Sequence, residues 1–204
     1  MIEYPILPAV RQLVSRLAAA ARYALLACAV LAVVEPLLLV LYLPLGGIAC
    51  GLVSSFLLQV AVVLVVLVAV WCHVVLLAGR GNVITRWMLA ACSCLAPIAP
   101  VSWVYTLFSG ELLLYRQGEL ILILCIVLLL AAALNIPRMA AARWQLQLRV
   151  LLLPLLLLLV LCCDVPGLVL PCAALKVLVT WVAASPLRML QSVAPRIIAM
   201  PELD

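Results

Sequence analysis

Charge is what this chain has least of. Only 9% of its 204 residues are Asp, Glu, Lys or Arg, where soluble domains carry about a quarter. There is one lysine, Lys176, and one histidine, His73. Each shortage excludes something. So few charges exclude a water-soluble domain. A single histidine excludes bis-histidine haem ligation within the chain, so any haem would need Met, Cys or a partner's side chain. The G-x-S-x-G, H-E-x-x-H, P-loop and Rossmann fingerprints are all missing. The expectation is a protein that is not an enzyme by itself, with no cofactor and no metal but with bound lipids.

What the chain has instead is apolar length. It is 71% hydrophobic with a mean hydropathy of +1.44. That composition predicts an all-α polytopic membrane protein forming one bundle. The net charge of +5 rests on eleven arginines and Lys176. The arginines cluster in short stretches between apolar runs, so they are read as orientation signals rather than as a nucleic-acid surface. Nine cysteines lie in or beside the apolar runs, with no CxxC pair, and are read as small buried hydrophobes. Cys92 and Cys94 are two apart and would point to different faces of a helix.

Residues 1–22 are expected to form an amphipathic interfacial helix. Arg11, Ser15 and Arg22 share one face, and Val10, Leu13, Val14 and Leu17 lie towards the other. The bundle is expected over 23–187, with a basic-to-acidic tail at 188–204. Its first span is 23–43, closed by a tight turn at LPLGG, 43–47. The second apolar run, 48–78, is longer than the roughly 20 residues that cross a bilayer. The third, 87–108, contains Pro97 and Pro100, which must bend it or open a turn. SGELLLYRQGE, 109–119, reads as a loop before a fourth span at 120–136. The runs 150–163 and 168–187 form a complete or a re-entrant hairpin. Six segments put ten of the eleven arginines on one side. The other side holds Arg116 with Glu111, Glu119 and Asp164. The positive-inside rule then places both termini on the cytosolic or matrix side.

Three ionisable residues fall within the apolar runs: Glu35, Lys176 and His73. A bare charge in the hydrocarbon costs several kcal/mol, so each side chain should face protein, water or a partner. Glu35 and Lys176 fall at similar depth in the first and last helices, which invites an ion pair. Pro36 follows Glu35 and frees a carbonyl one turn back, that of Ala32, to which a protonated Glu35 could donate. His73, near the inner end of its run, reads as an interior or near-interface residue. Glu35, Lys176, His73 and Pro36 are thus the candidates for structural or transport work.

Two function classes follow. The first is a non-catalytic accessory or structural subunit of a larger membrane complex, of respiratory or other energy-transducing kind. Its partners would be other membrane subunits and lipids, with no nucleic acid and no soluble substrate. The second is a small proton- or cation-coupled transporter that uses Glu35 as an oligomer, with prolines breaking its helices. The arginine-rich, acid-poor start favours the mitochondrial inner membrane over a bacterial inner membrane or an endomembrane.

Overall fold

A computed structural model of the chain describes residues 6–76, 83–110, 112–134, 144–163 and 167–196. Every regular element among the described residues is an α-helix: α1 (Ile6–Val40), α2 (Pro44–Leu76), α3 (Val83–Leu95), α4 (Ile98–Ser109), α5 (Leu112–Leu134), α6 (Trp144–Cys163) and α7 (Val169–Arg196). The protein is an all-α polytopic membrane protein. Among the described residues, five stretches are long and apolar enough to cross a bilayer, with α3 and α4 together making one of them. The apolar part of α6, Leu148–Cys163, is shorter. At about 1.5 Å per residue it reaches about 24 Å, short of a hydrocarbon core of about 30 Å.

Local chemistry sets the helix ends. α1 runs without a break through the expected boundary at Arg22, because 17–34 is rich in Ala and Leu and holds neither Gly nor Pro. The helix also continues through Pro36 and stops only at Val40. There Leu43 N–H donates to the Leu38 carbonyl at 3.0 Å and Tyr42 N–H to that of Leu39 at 3.2 Å. Tyr42 has a φ of 59°. This is a Schellman cap with a tyrosine where glycine is usual. Pro44 then opens α2, where its missing N–H costs nothing. The turn expected at 43–47 is therefore Leu41–Leu43, and Gly46 and Gly47 belong to α2.

The prolines of the third span act as expected. Pro97 and Pro100 have no N–H, so the ladder breaks between α3 and α4. Ala99 N–H turns back to the Ala96 carbonyl (3.3 Å), and Val101 N–H reaches that of Pro97 (3.4 Å). α5 begins at Leu112, inside the expected loop, because Arg116, Gln117 and Glu119 are as compatible with a helix as the apolar run behind them.

The helices close into a ring in which α7 packs against α1, α1 against α2, α2 against α3, α3 and α4 against α5, α5 against α6, and α6 against α7. Packing follows a 3–4 spacing. On α1 the buried positions are Ala18, Ala21, Leu25, Cys28 and Ala32, and on α2 they include Ser54, Leu58, Ala61 and Val65. On α3 and α4 the spacing survives the break, through Thr85, Leu89, Cys92, Ala96, Ala99 and Trp103. Lipid is as apolar as leucine, so burying apolar area does little to join helices in a membrane. Close approach through small residues does, and the α1–α2 seam has them on both sides.

Candidate functional site

The 3–4 seam of α1 leads directly to the acid. Counting on from Ala32, its next positions are Glu35 and Leu39. The seam of α2, counted back from Ser54, reaches Gly51 and Gly47. The two pairs meet. A Cβ built on Gly51 would stand 2.5 Å from Oε1 of Glu35 and 2.9 Å from its carboxyl carbon. One built on Gly47 would stand 2.7 Å from both Cγ and Cδ2 of Leu39, and 3.4 Å from the backbone carbonyl of Glu35. Glu35 and Leu39 are therefore knobs, and Gly51 and Gly47 are the holes that receive them. Any side chain at 51 would displace the carboxylate.

One turn further on, the same seam carries a polar contact. Ser54 Oγ donates to the Cys28 carbonyl at 3.3 Å and lies 3.6 Å from its sulfur. Both residues are buried. The α1–α2 interface thus runs from an acid on a glycine to a serine on a carbonyl, a small-residue seam with polar fastening.

Lys176 lies on the other flank of α1. It is 3% exposed, on α7, at a seam position between Cys172 and Val179. Thr180, one turn along, donates from Oγ1 to the Leu25 carbonyl of α1 at 2.9 Å and to the Lys176 carbonyl at 3.0 Å. A shallow apolar groove of about 540 Å³ lies between the C-terminal part of α1 and the N-terminal part of α7. Val33, Pro36 and Leu37 form one wall, and Ala173, Ala174 and Val177 the other. Glu35 and Lys176 are each adjacent in sequence to a residue of these walls, Pro36 and Val177, on two helices that pack together. Glu35 is not at the middle of α1, which spans Ile6–Val40: it lies five residues from the C-terminal end.

The other candidates divide. Pro36 lines the groove. His73 belongs to the last turn of α2, and its side chain lies outside the described residues. The tail expected from 188 begins inside α7, which runs on to Arg196, and residues 197–204 lie outside the described ones.

Two features are absent from the sequence-based list. One is the pair Gly47 and Gly51, a G-x-x-x-G spacing whose first glycine reads as turn punctuation beside Pro44. The four-residue interval, followed by Ser54 and Ser55, was the available signal. The other is Cys92 and Cys125, buried across the α3–α5 contact. Each thiol donates towards the other's carbonyl, at 3.5 and 3.9 Å. Cys94 is exposed, so Cys92 and Cys94 do face different ways. Among the described residues, no group of three or more His, Cys, Asp or Glu is placed to hold a metal ion.

No protein-family model, curated protein or solved structure matches this chain.

Proposed function

We propose that this chain is a non-catalytic structural subunit of a larger membrane assembly, with other membrane subunits and lipids as its partners. The observation that carries the reading is the seating of Glu35 on Gly51. The acid with the strongest claim to chemistry occupies a packing position, in a hole shaped by a glycine, where it holds two helices in register. Outward, the protein offers long apolar faces. Leu26, Val30 and Leu37 of α1 are exposed, as are Leu120, Leu124 and Val127 of α5. Such faces suit lipid and partner helices equally well. Glu35 and Lys176 carry opposite charges on two packed helices, α1 and α7, which supports a structural part for both. The arginine distribution supports termini on the cytosolic or matrix side, and the basic start supports a mitochondrial inner membrane, where assemblies of respiratory or other energy-transducing kind reside.

The test is extraction of native membranes in a mild detergent, followed by native electrophoresis. The reading expects the chain in a complex of fixed stoichiometry far above its own 22.0 kDa, and loss of that complex when the chain is deleted. A monomer or homodimer, together with proton-coupled uptake in proteoliposomes that Glu35→Gln abolishes, would establish the transporter instead.

A further inference from the structure

We propose that the inner ends of α6 and α7 form a binding site for the headgroup of an anionic phospholipid. The side chains are Arg149 of α6 with Trp181, Ser185 and Arg188 of α7. The last three recur at i, i+4 and i+7 and so form one stripe on α7. Arg149 lies across it. Its guanidinium carbon is 4.7 Å from the centroid of the Trp181 ring, and its Nη1 donates to Ser185 Oγ at 2.7 Å. The bond to Ser185 engages one of the five N–H donors of a guanidinium, and the fork geometry of the group suits a phosphate oxyanion. Arg188 is exposed one turn beyond Ser185 on the same stripe.

Three further observations point to a lipid phosphate. First, α6 and α7 carry no acid. The only acid of α1 is Glu35, at its far end, so these helices offer no carboxylate to neutralise the two arginines. Second, both arginines stand near the ends of the apolar stretches: Arg149 is the second residue of the apolar part of α6, Leu148–Cys163, and Arg188 is three residues from the end of the α7 span at Gln191. Trp181 lies deeper, within that span, and is 61% exposed beside them. Third, exposed apolar side chains run away from the site along both helices: Leu155 and Leu159 on α6, Ala174 and Leu178 on α7. A phosphodiester between Arg149 and Arg188 would lay its acyl chains along those residues. Basic pockets between membrane helices take anionic headgroups by this chemistry.

The experiment uses the full chain in vesicles of equal phosphatidylcholine and phosphatidylglycerol, with bromine on the acyl chains of one lipid or the other. The emission of Trp181 is isolated by difference from Trp181→Phe. The expected result is that brominated phosphatidylglycerol quenches Trp181 more than brominated phosphatidylcholine does, by a relative affinity of roughly fivefold per arginine. Arg188→Gln, an exposed substitution that leaves the α6–α7 contact intact, should reduce the preference, and Arg149→Gln with Arg188→Gln should abolish it. Excess inorganic phosphate should leave it in place. Equal quenching by the two lipids, a preference indifferent to Arg188→Gln, or its loss on adding phosphate would each overturn the proposal.

Discussion

The carboxylate of Glu35 on α1 rests against the bare backbone of Gly51 on α2, so close that a methyl group at 51 would overlap it. Beside it Leu39 fills the space over Gly47. An acid and a leucine thus play the same mechanical part in one seam. The acid differs in carrying a charge, and Lys176 is buried on α7, the helix packed against the other flank of α1.

That relation makes Lys176 measurable through Glu35. Lys176→Met keeps the volume and removes the charge. In SDS-titration unfolding of the purified protein, it should destabilise the wild type by about 1 kcal/mol more than it destabilises Glu35→Gln, as expected of coupled neighbours. Additive effects would show that the two charges do not sense each other.

Thr180 fastens α7 to α1 through the Leu25 carbonyl. Thr180→Val is nearly isosteric and removes only that bond and the one within its own helix. The expected loss is about 0.6 kcal/mol, in the range measured for hydrogen bonds between membrane helices. A change indistinguishable from zero would mean that another group satisfies that carbonyl equally well.

Tyr42 caps α1 with a left-handed backbone and is 92% exposed, so its side chain adds little packing. Tyr42→Gly removes the steric cost of that conformation and should stabilise the protein by about 1 kcal/mol in the same titration. Destabilisation would show that the phenol ring has a role at the membrane surface.

Thiol labelling reports the seams directly. Brief treatment with N-ethylmaleimide, read by peptide mass spectrometry, should modify Cys162, exposed one residue from the end of α6, ahead of Cys94, which faces lipid within its span. Cys28, Cys92, Cys125 and Cys172, all buried, should react only after unfolding. Early modification of Cys92 or Cys125 would show that the α3–α5 contact opens in the folded protein.

The spans are readable from apolar runs because the hydrocarbon demands about 20 apolar residues and tolerates few charges. The break at Pro97 and Pro100 is readable too, since proline removes a donor wherever it stands. Helix ends are less visible. Charges mark where water begins, not where a helix stops. α1 accordingly passes through Arg22, and α5 begins before Arg116 and Glu119. The turn after α1 hides for a different reason: Tyr42 takes the conformation that glycine signals, while the glycines three and four residues beyond Leu43 lie inside α2. Of the site, Glu35 is conspicuous as a lone acid among apolar residues. Its seat is not, because a hole is made by an absent side chain, and only the spacing of Gly47, Gly51 and Ser54 betrays it.

The most direct test of Glu35 as a packing residue is a double-mutant cycle with Gly51, measured by SDS-titration unfolding. In a Glu35→Ala background the space is free, so Gly51→Ala should stabilise by about 0.5–1 kcal/mol, the helix-propensity gain of alanine over glycine. In the wild type that gain should be cancelled, because the new methyl group drives the flexible end of Glu35 from its seat. An equal effect in both backgrounds would contradict the account, and would mean that the carboxylate does not rest on Gly51 in the folded protein.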